Sequence, residues 1–192
     1  MSTPRRKTNA QLRPREYLTP HEVDLLTEAA KKMTRNGLRN ELLLLLAYRH
    51  GLRAHEALHL RWTQIDFETG VIHVNRLKNG RKSVQPLQAK TLRGLRKLKR
   101  QSPSSPFLFL GETTGTPMSV DAFQKIMKQC GEKVGFEFPV HPHMLRHACG
   151  FKLANAGHDI RAIQQYLGHN NIQHTVRYTE LVSDRFKDFW QD

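Results

Sequence analysis

Residues 42–47, five leucines and an alanine, form the longest apolar run in the chain. Apolar side chains at consecutive positions leave a helix no face for water, so neighbours must cover such a segment on every side. The run is far shorter than the roughly 20 residues that span a bilayer. It therefore predicts a fully buried central helix, ending near Gly51, around which the other elements pack.

Upstream, Thr19-Pro20-His21-Glu22 is a capping box with proline at the first helical position. Val23, Leu26, Ala30 and Met33 follow at helical spacing. Downstream the period changes. Val71 to Val74 and Lys82 to Pro86 read as strands, and the Asn79-Gly80 pair between them is a tight-turn signal, giving a β-hairpin with Lys78 at its tip. Helical periodicity returns with Leu92, Leu95 and Leu98. After a loop over 102–106 it continues with Val120, Phe123, Met127, Cys130 and Val134 behind Ser119 as N-cap. Further helices open at Pro142 and run through Ile160, Ile163 and Leu167 to Gly168. A last amphipathic helix carries Val182, Phe186, Phe189 and Trp190. The fold class is mainly α with a small antiparallel β-sheet.

Lys and Arg total 31 against 17 Asp and Glu, a net charge of +14. That excess points to a polyanionic partner, nucleic acid first and an acidic membrane surface second, although a merely soluble basic protein would share it. Arg5, Arg6, Lys7, Arg13 and Arg15 crowd the first 17 residues, which read as a basic arm able to order on a phosphate backbone, or equally as a solvated tail. No apolar stretch follows them, so they do not form a secretory signal. With two cysteines, Cys130 and Cys149, neither a disulfide framework nor a cysteine-rich zinc site is available. A cytoplasmic, nucleoid-associated protein is the expectation.

Four separated segments carry unusual residues: Gly51-Leu52-Arg53-Ala54-His55-Glu56, the hairpin Lys78, His143-Met144-Leu145-Arg146-His147, and Leu167-Gly168-His169 with Tyr178 nine residues on. Each alone has an ordinary explanation. Arg53 can pair with Glu56 on one turn, a hairpin lysine is usually solvated, and the histidines and Tyr178 can be packing residues. Together, GLRAHEALHLRW, RLKNGRKSVQPL, HPHMLRHACGFKLANAG and YLGHNNIQHTVRYTEL resemble the catalytic domain of the tyrosine recombinase (phage integrase) family, from about residue 17 to Tyr178. HPHMLRHACG and HTVRYT look most like the short recombinases that invert fimbrial promoter segments in phase variation.

The resemblance implies a catalytic domain over 18–192 behind a basic arm over 1–17, with no separate N-terminal DNA-clamping domain. Tyr178 is then the nucleophile that forms a 3′-phosphotyrosine. Arg53 and Arg146 clamp the scissile phosphate, a task that suits planar, permanently charged forks. His143 assists on the helix of Arg146, His169 donates to a phosphate oxygen, and Lys78 is the general acid, with Lys82 a competing candidate that otherwise contacts DNA. Glu56 orients Arg53. Nearby arginines are expected to favour the Tyr178 phenolate. No metal, ATP or other cofactor is implied. The implied partners are duplex DNA with inverted-repeat sites, four protomers in the synaptic complex and accessory DNA-bending proteins, with no membrane. Phe186, Phe189 and Trp190 either contact a neighbouring subunit or close their own core.

Three rivals remain on the residues themselves. His143 and His147 stand at i and i+4, a spacing that can hold zinc with His141 or His169, although Met144 occupies the position where zinc proteases carry glutamate. A non-catalytic DNA-binding regulator explains the charge but has no use for Tyr178. A type IB topoisomerase shares the chemistry without exchanging partners.

Overall fold

The leucine run is wound into the second of eight helices in the described part of the chain. A computed structural model describes residues 16–33, 36–76, 82–101, 104–111 and 115–180. Helix α1 (Pro20–Lys31) starts as the capping box dictates: Thr19 Oγ1 accepts from Glu22 N, and Glu22 Oε2 accepts from Thr19 N at 2.7 Å. Helix α2 (Gly37–Arg49) buries every residue from Asn40 to Ala47. The continuous leucines therefore do what an amphipathic stripe could not, and meet neighbours on all sides.

Gly51 ends α2 with φ +54°, and a Cβ there would stand 2.3 Å from Leu167 Cδ2. Only glycine tolerates both the left-handed backbone and that contact. The turn delivers the chain into α3 (Ala54–Leu58), then a 3₁₀ turn (Trp62–Gln64) and the strands β1 (Ile65–Asp66), β2 (Val71–Val74) and β3 (Ser83–Pro86). They form one antiparallel sheet in the order β1-β2-β3, with Val74 opposite Ser83 at the hairpin stem. β3 begins at Ser83, one residue later than expected, and β1 is an addition. Two residues are too few to show an alternating pattern.

Helices α4 (Ala89–Gln101), α5 (Val120–Val134), α6 (Pro142–Asn155), α7 (Ile160–Leu167) and α8 (Gln173–Glu180) complete the described fold. Ser119 caps α5 through Ala122 N, and Pro142 opens α6, both as anticipated. The main core runs from Leu18 through the leucines of α2 to Met144, Leu145 and Ala148. Cys149, Phe151, Ala154, Ile163, Leu167 and Tyr178 form a smaller second cluster. Both cysteines are free and buried. Among the described residues no helix is long and apolar enough to cross a membrane.

Candidate active site

The turn after α2, the end of β2, the first turns of α6 and the end of α7 converge on a cluster of arginines around one buried carboxylate. Glu56, with a side chain 1% exposed, lies 2.8 Å from Arg53, 3.0 Å from Arg76 and 4.0 Å from Arg146. Its Oε2 also accepts from Arg53 N at 2.9 Å, which fixes the entry to α3. Facing one carboxylate with three guanidiniums leaves the cluster short of negative charge. Such a deficit in a low-dielectric setting is an anion site in waiting.

The three arginines are held differently. Arg146 donates to Gly51 O at 2.5 Å and to Leu167 O at 2.9 Å, spending only part of its five-donor fork. Burial, then the charges of Arg53 and Arg76, push it down to about 10, so it stays cationic at neutral pH. Arg53 remains partly exposed and reaches solvent beyond Glu56. Arg76 is sealed and spends its terminal nitrogens on the protein.

Tyr178 sits on α8, 1% exposed, with its ring against the face of Gly150 and edge-on to Phe151 at 5.1 Å. Its hydroxyl shares a 3.0 Å hydrogen bond with His147 Nδ1. Burial raises its pKa, and the nearby Arg146 and Arg177 charges only offset that. The expectation that arginines favour the phenolate is thus overturned for this conformation: desolvation of an anion outweighs their attraction. His147 is pushed down to about 3 by burial, then by His143, Arg177 and Arg146, and so stays neutral.

His169 stacks beside the Tyr178 ring at 6.2 Å, and its Nδ1 is bound to Thr175 Oγ1 at 2.9 Å. That bond fixes the ring plane from one side and leaves Nε2 as the outward nitrogen. Burial and then Arg146 push His169 down to about 3. His143 stands exposed one turn before His147, edge-on to it at 4.4 Å. Partial desolvation and then the Arg146 charge lower its pKa. His147 is committed to Tyr178, and among the described residues no group of three or more His, Cys, Asp or Glu could hold a metal ion.

Arg53, Glu56, Arg146, His143, His169 and Tyr178 are therefore brought together from three of the four segments. Lys82 is exposed at the foot of β3. Lys78, the arm residues Arg5, Arg6, Lys7, Arg13 and Arg15, and Val182, Phe186, Phe189 and Trp190 lie outside the described residues. Two participants escaped the sequence reading. The Tyr178 contact of His147 had no signal beyond its place in the HMLRH stretch. Arg76 did have one: Ile72, Val74 and Arg76 alternate inward along one strand face.

The sequence matches the phage integrase family over residues 16–185. It is 40% identical over 189 residues to the type 1 fimbriae regulatory protein FimB of Escherichia coli K12, covering 96% of this chain and 94% of that protein. Similarity to FimE of the same strain is 38% over 183 residues, covering 92% and 91%. Tyrosine recombinase XerA of Pyrococcus furiosus is 33% identical over 174 residues, where the match covers 89% of this chain and 59% of the relative. Among solved structures, the XerA recombinase superposes with TM-score 0.76 at 24% identity, covering 90% of this chain and 63% of that one. A post-cleavage complex of XerH with palindromic difH gives 0.78 at 22%, covering 95% and 54%. The chain thus spans nearly all of the fimbrial relatives and less than two-thirds of the Xer structures. It belongs to the phage integrase family and is a site-specific tyrosine recombinase.

Proposed function

We propose that the chain cuts and rejoins duplex DNA through a 3′-phosphotyrosine at Tyr178, and that it inverts a promoter segment between inverted repeats, controlling fimbrial genes. One observation carries the chemistry. The charge-deficient cluster around Glu56 shares helix α6 with the histidine that holds the Tyr178 hydroxyl, through the consecutive residues Arg146 and His147. Likeness to fimbrial regulators along nearly their whole length supports the biological role.

The scissile phosphate takes the place of the missing negative charge. Arg53 and Arg146 bind its non-bridging oxygens with their remaining donors, and these bonds strengthen as charge accumulates in the pentavalent transition state. His169 donates from Nε2, and His143 supplies a further polar contact at the solvent edge. Tyr178 Oη attacks phosphorus and passes its proton to the neutral His143, the P–O5′ bond breaks, and the leaving 5′-oxygen is protonated. Lys78 is assigned that last proton by family resemblance, with Lys82 as the competing candidate. The phosphotyrosine ester retains the energy of the broken bond, so a 5′-hydroxyl can reverse the step without ATP. Because Tyr178 is buried, it must leave its pocket before attack. The described conformation is then a resting one.

The basic arm over residues 1–17 would follow the phosphate backbone, four protomers would pair two sites, and DNA-bending proteins would assist. The decisive experiment incubates the protein in EDTA without ATP on nicked duplexes bearing inverted repeats from beside its gene. A covalent protein–DNA band that Tyr178→Phe abolishes is the expected result. Tight, salt-sensitive binding with no band on any repeat would replace this reading with a non-catalytic regulator.

A further inference from the structure

Arg76 leaves β2 on the inward face and ends in a chamber of carbonyls. Its side chain is 0% exposed. One terminal nitrogen donates to Gly51 O at 3.1 Å and Glu56 Oε2 at 3.0 Å. The other donates to His50 O at 2.9 Å and to Tyr166 O. Its stem lies flat on Gly168, where a Cβ would stand 2.5 Å from Cγ and 2.9 Å from Cδ. Its Nε has no partner among the described residues. Four acceptors exhaust the four terminal N–H groups of a guanidinium. Arg76 therefore has no terminal donor left for a phosphate, and its one unpaired donor, Nε–H, is sealed from solvent, unlike Arg146, which uses one carbonyl on each terminal nitrogen.

Those acceptors belong to the segments that carry the other functional groups. Gly51 O is shared with Arg146, Glu56 Oε2 is also the carboxylate oxygen nearest Arg146, and Tyr166 O and Gly168 flank the approach to His169. We infer that Arg76 is a positioning residue for the phosphate clamp: it occupies Glu56 and fixes the Gly51 and Tyr166 carbonyls, so that Arg146 keeps donors for DNA. Without it, the buried carboxylate keeps Arg53 and has Arg146 as its next cation, only 4.0 Å away. A shift of about 1 Å would convert Arg146 from phosphate ligand to internal counter-ion. Misplacement on that scale typically costs about 10²-fold in rate.

The inference rests on the proposed phosphoryl transfer and deepens it. The test compares single-turnover formation of the Tyr178 adduct on an ordinary scissile phosphate and on a methylphosphonate, which lacks one charged oxygen. The proteins are wild type, Arg76→Lys and Gly168→Ala. The second variant crowds the Arg76 stem without changing any charge. If Arg76 acts through the clamp, Arg76→Lys loses about 10²-fold on the phosphate and much less on the methylphosphonate, and Gly168→Ala shows a smaller bias of the same sign. Equal losses on both substrates in both variants, alongside lowered Tm, would reduce Arg76 to a structural tie and overturn the inference. Wild-type rates in both variants would overturn it too. No adduct from wild type on any substrate would instead sink the phosphotyrosine reading, and this inference with it.

Discussion

Arg146 and His147 are consecutive on α6, and they serve pockets of opposite character. The Arg146 side faces Gly51, Leu167 and Glu56, where carbonyls and one carboxylate hold three guanidiniums in place and charged. The His147 side faces Phe151 and Tyr178 within the smaller apolar cluster, where a phenol and an imidazole pair as neutral groups. Burial acts on both. Arginine is basic enough to keep its charge after desolvation, whereas tyrosine and histidine respond by staying neutral. On the proposed reading, the charge-binding half is assembled before DNA arrives, and Tyr178, the proposed nucleophile, is stored as a neutral phenol beside it.

Removing the stored group should produce the largest effect. Tyr178→Phe is expected to lose adduct formation by at least about 10⁴-fold, since the hydroxyl it removes is the proposed ester-forming group. DNA affinity, measured by gel shift, should be nearly unchanged because the hydroxyl faces His147 and not solvent. A residual adduct above that level would mean a second nucleophile and break the assignment of this pocket. On the other side, Arg146→Lys keeps the charge but loses the planar fork and its two carbonyl bonds. Cleavage should fall about 10²- to 10³-fold in single-turnover assays. A loss under about tenfold would show that point charge alone suffices, and the distinction between a clamp and a diffuse basic patch would go.

The two halves were not equally legible in the sequence. The capping box at Thr19, the leucine run and the Asn79-Gly80 signal placed α1, α2 and the β2–β3 pair because local periodicity and turn chemistry decide them. Arg53, Arg146, His169 and Tyr178 stood out through recognisable wording. Arg76 did not, because three of its four partners are backbone carbonyls from distant segments, and a carbonyl has no sequence signature. The state of Tyr178 was misjudged for a related reason. Arginines can be counted along a chain, but burial of a ring on Gly150 appears only once α8 docks on α6. The short β1 carried no periodic signal at all.

Beneath the arginine cluster, His50 offers a third test. It is 2% exposed and donates through Nδ1 to Gln85 Oε1 at 2.8 Å, while Gln85 Nε2 donates to Tyr166 O. Burial pushes it down to about 4, opposed by the Gln85 bond and aided by Arg76 and Arg49. In the unfolded chain it takes a proton near pH 6.5, and the folded protein refuses that proton until about pH 4. The unfolded state therefore binds more protons across this window, so stability falls as pH drops from about 6.5 to 4, by about 3 kcal/mol from this group. Denaturant unfolding at stepped pH should show that slope added to those of His143, His147 and His169, and His50→Asn should reduce it by the His50 share. An unchanged slope in the variant would place the acid sensitivity on the tyrosine side, with His143, His147 and His169.

The smallest effect bears on the tyrosine pocket itself. A Cβ at residue 150 would lie 2.5 Å from Tyr178 Cε2 and 2.6 Å from Cζ, so Gly150→Ala must push the ring outward. Overpacking of this kind costs about 1–3 kcal/mol. The low end is expected here, because α8 follows a short surface turn and can retreat without disturbing the main core. Retreat should weaken the His147 bond and hydrate the phenol, so its raised pKa should fall back toward the ordinary tyrosine value. Ultraviolet titration of tyrosinate, with Tyr178→Phe as the subtraction standard, reads this directly. A lowered pKa with a modest drop in Tm would show that packing on Gly150 is what keeps Tyr178 neutral. A lower Tm with an unmoved titration would leave the His147 bond as the stronger restraint and shift the comparison from burial to hydrogen bonding.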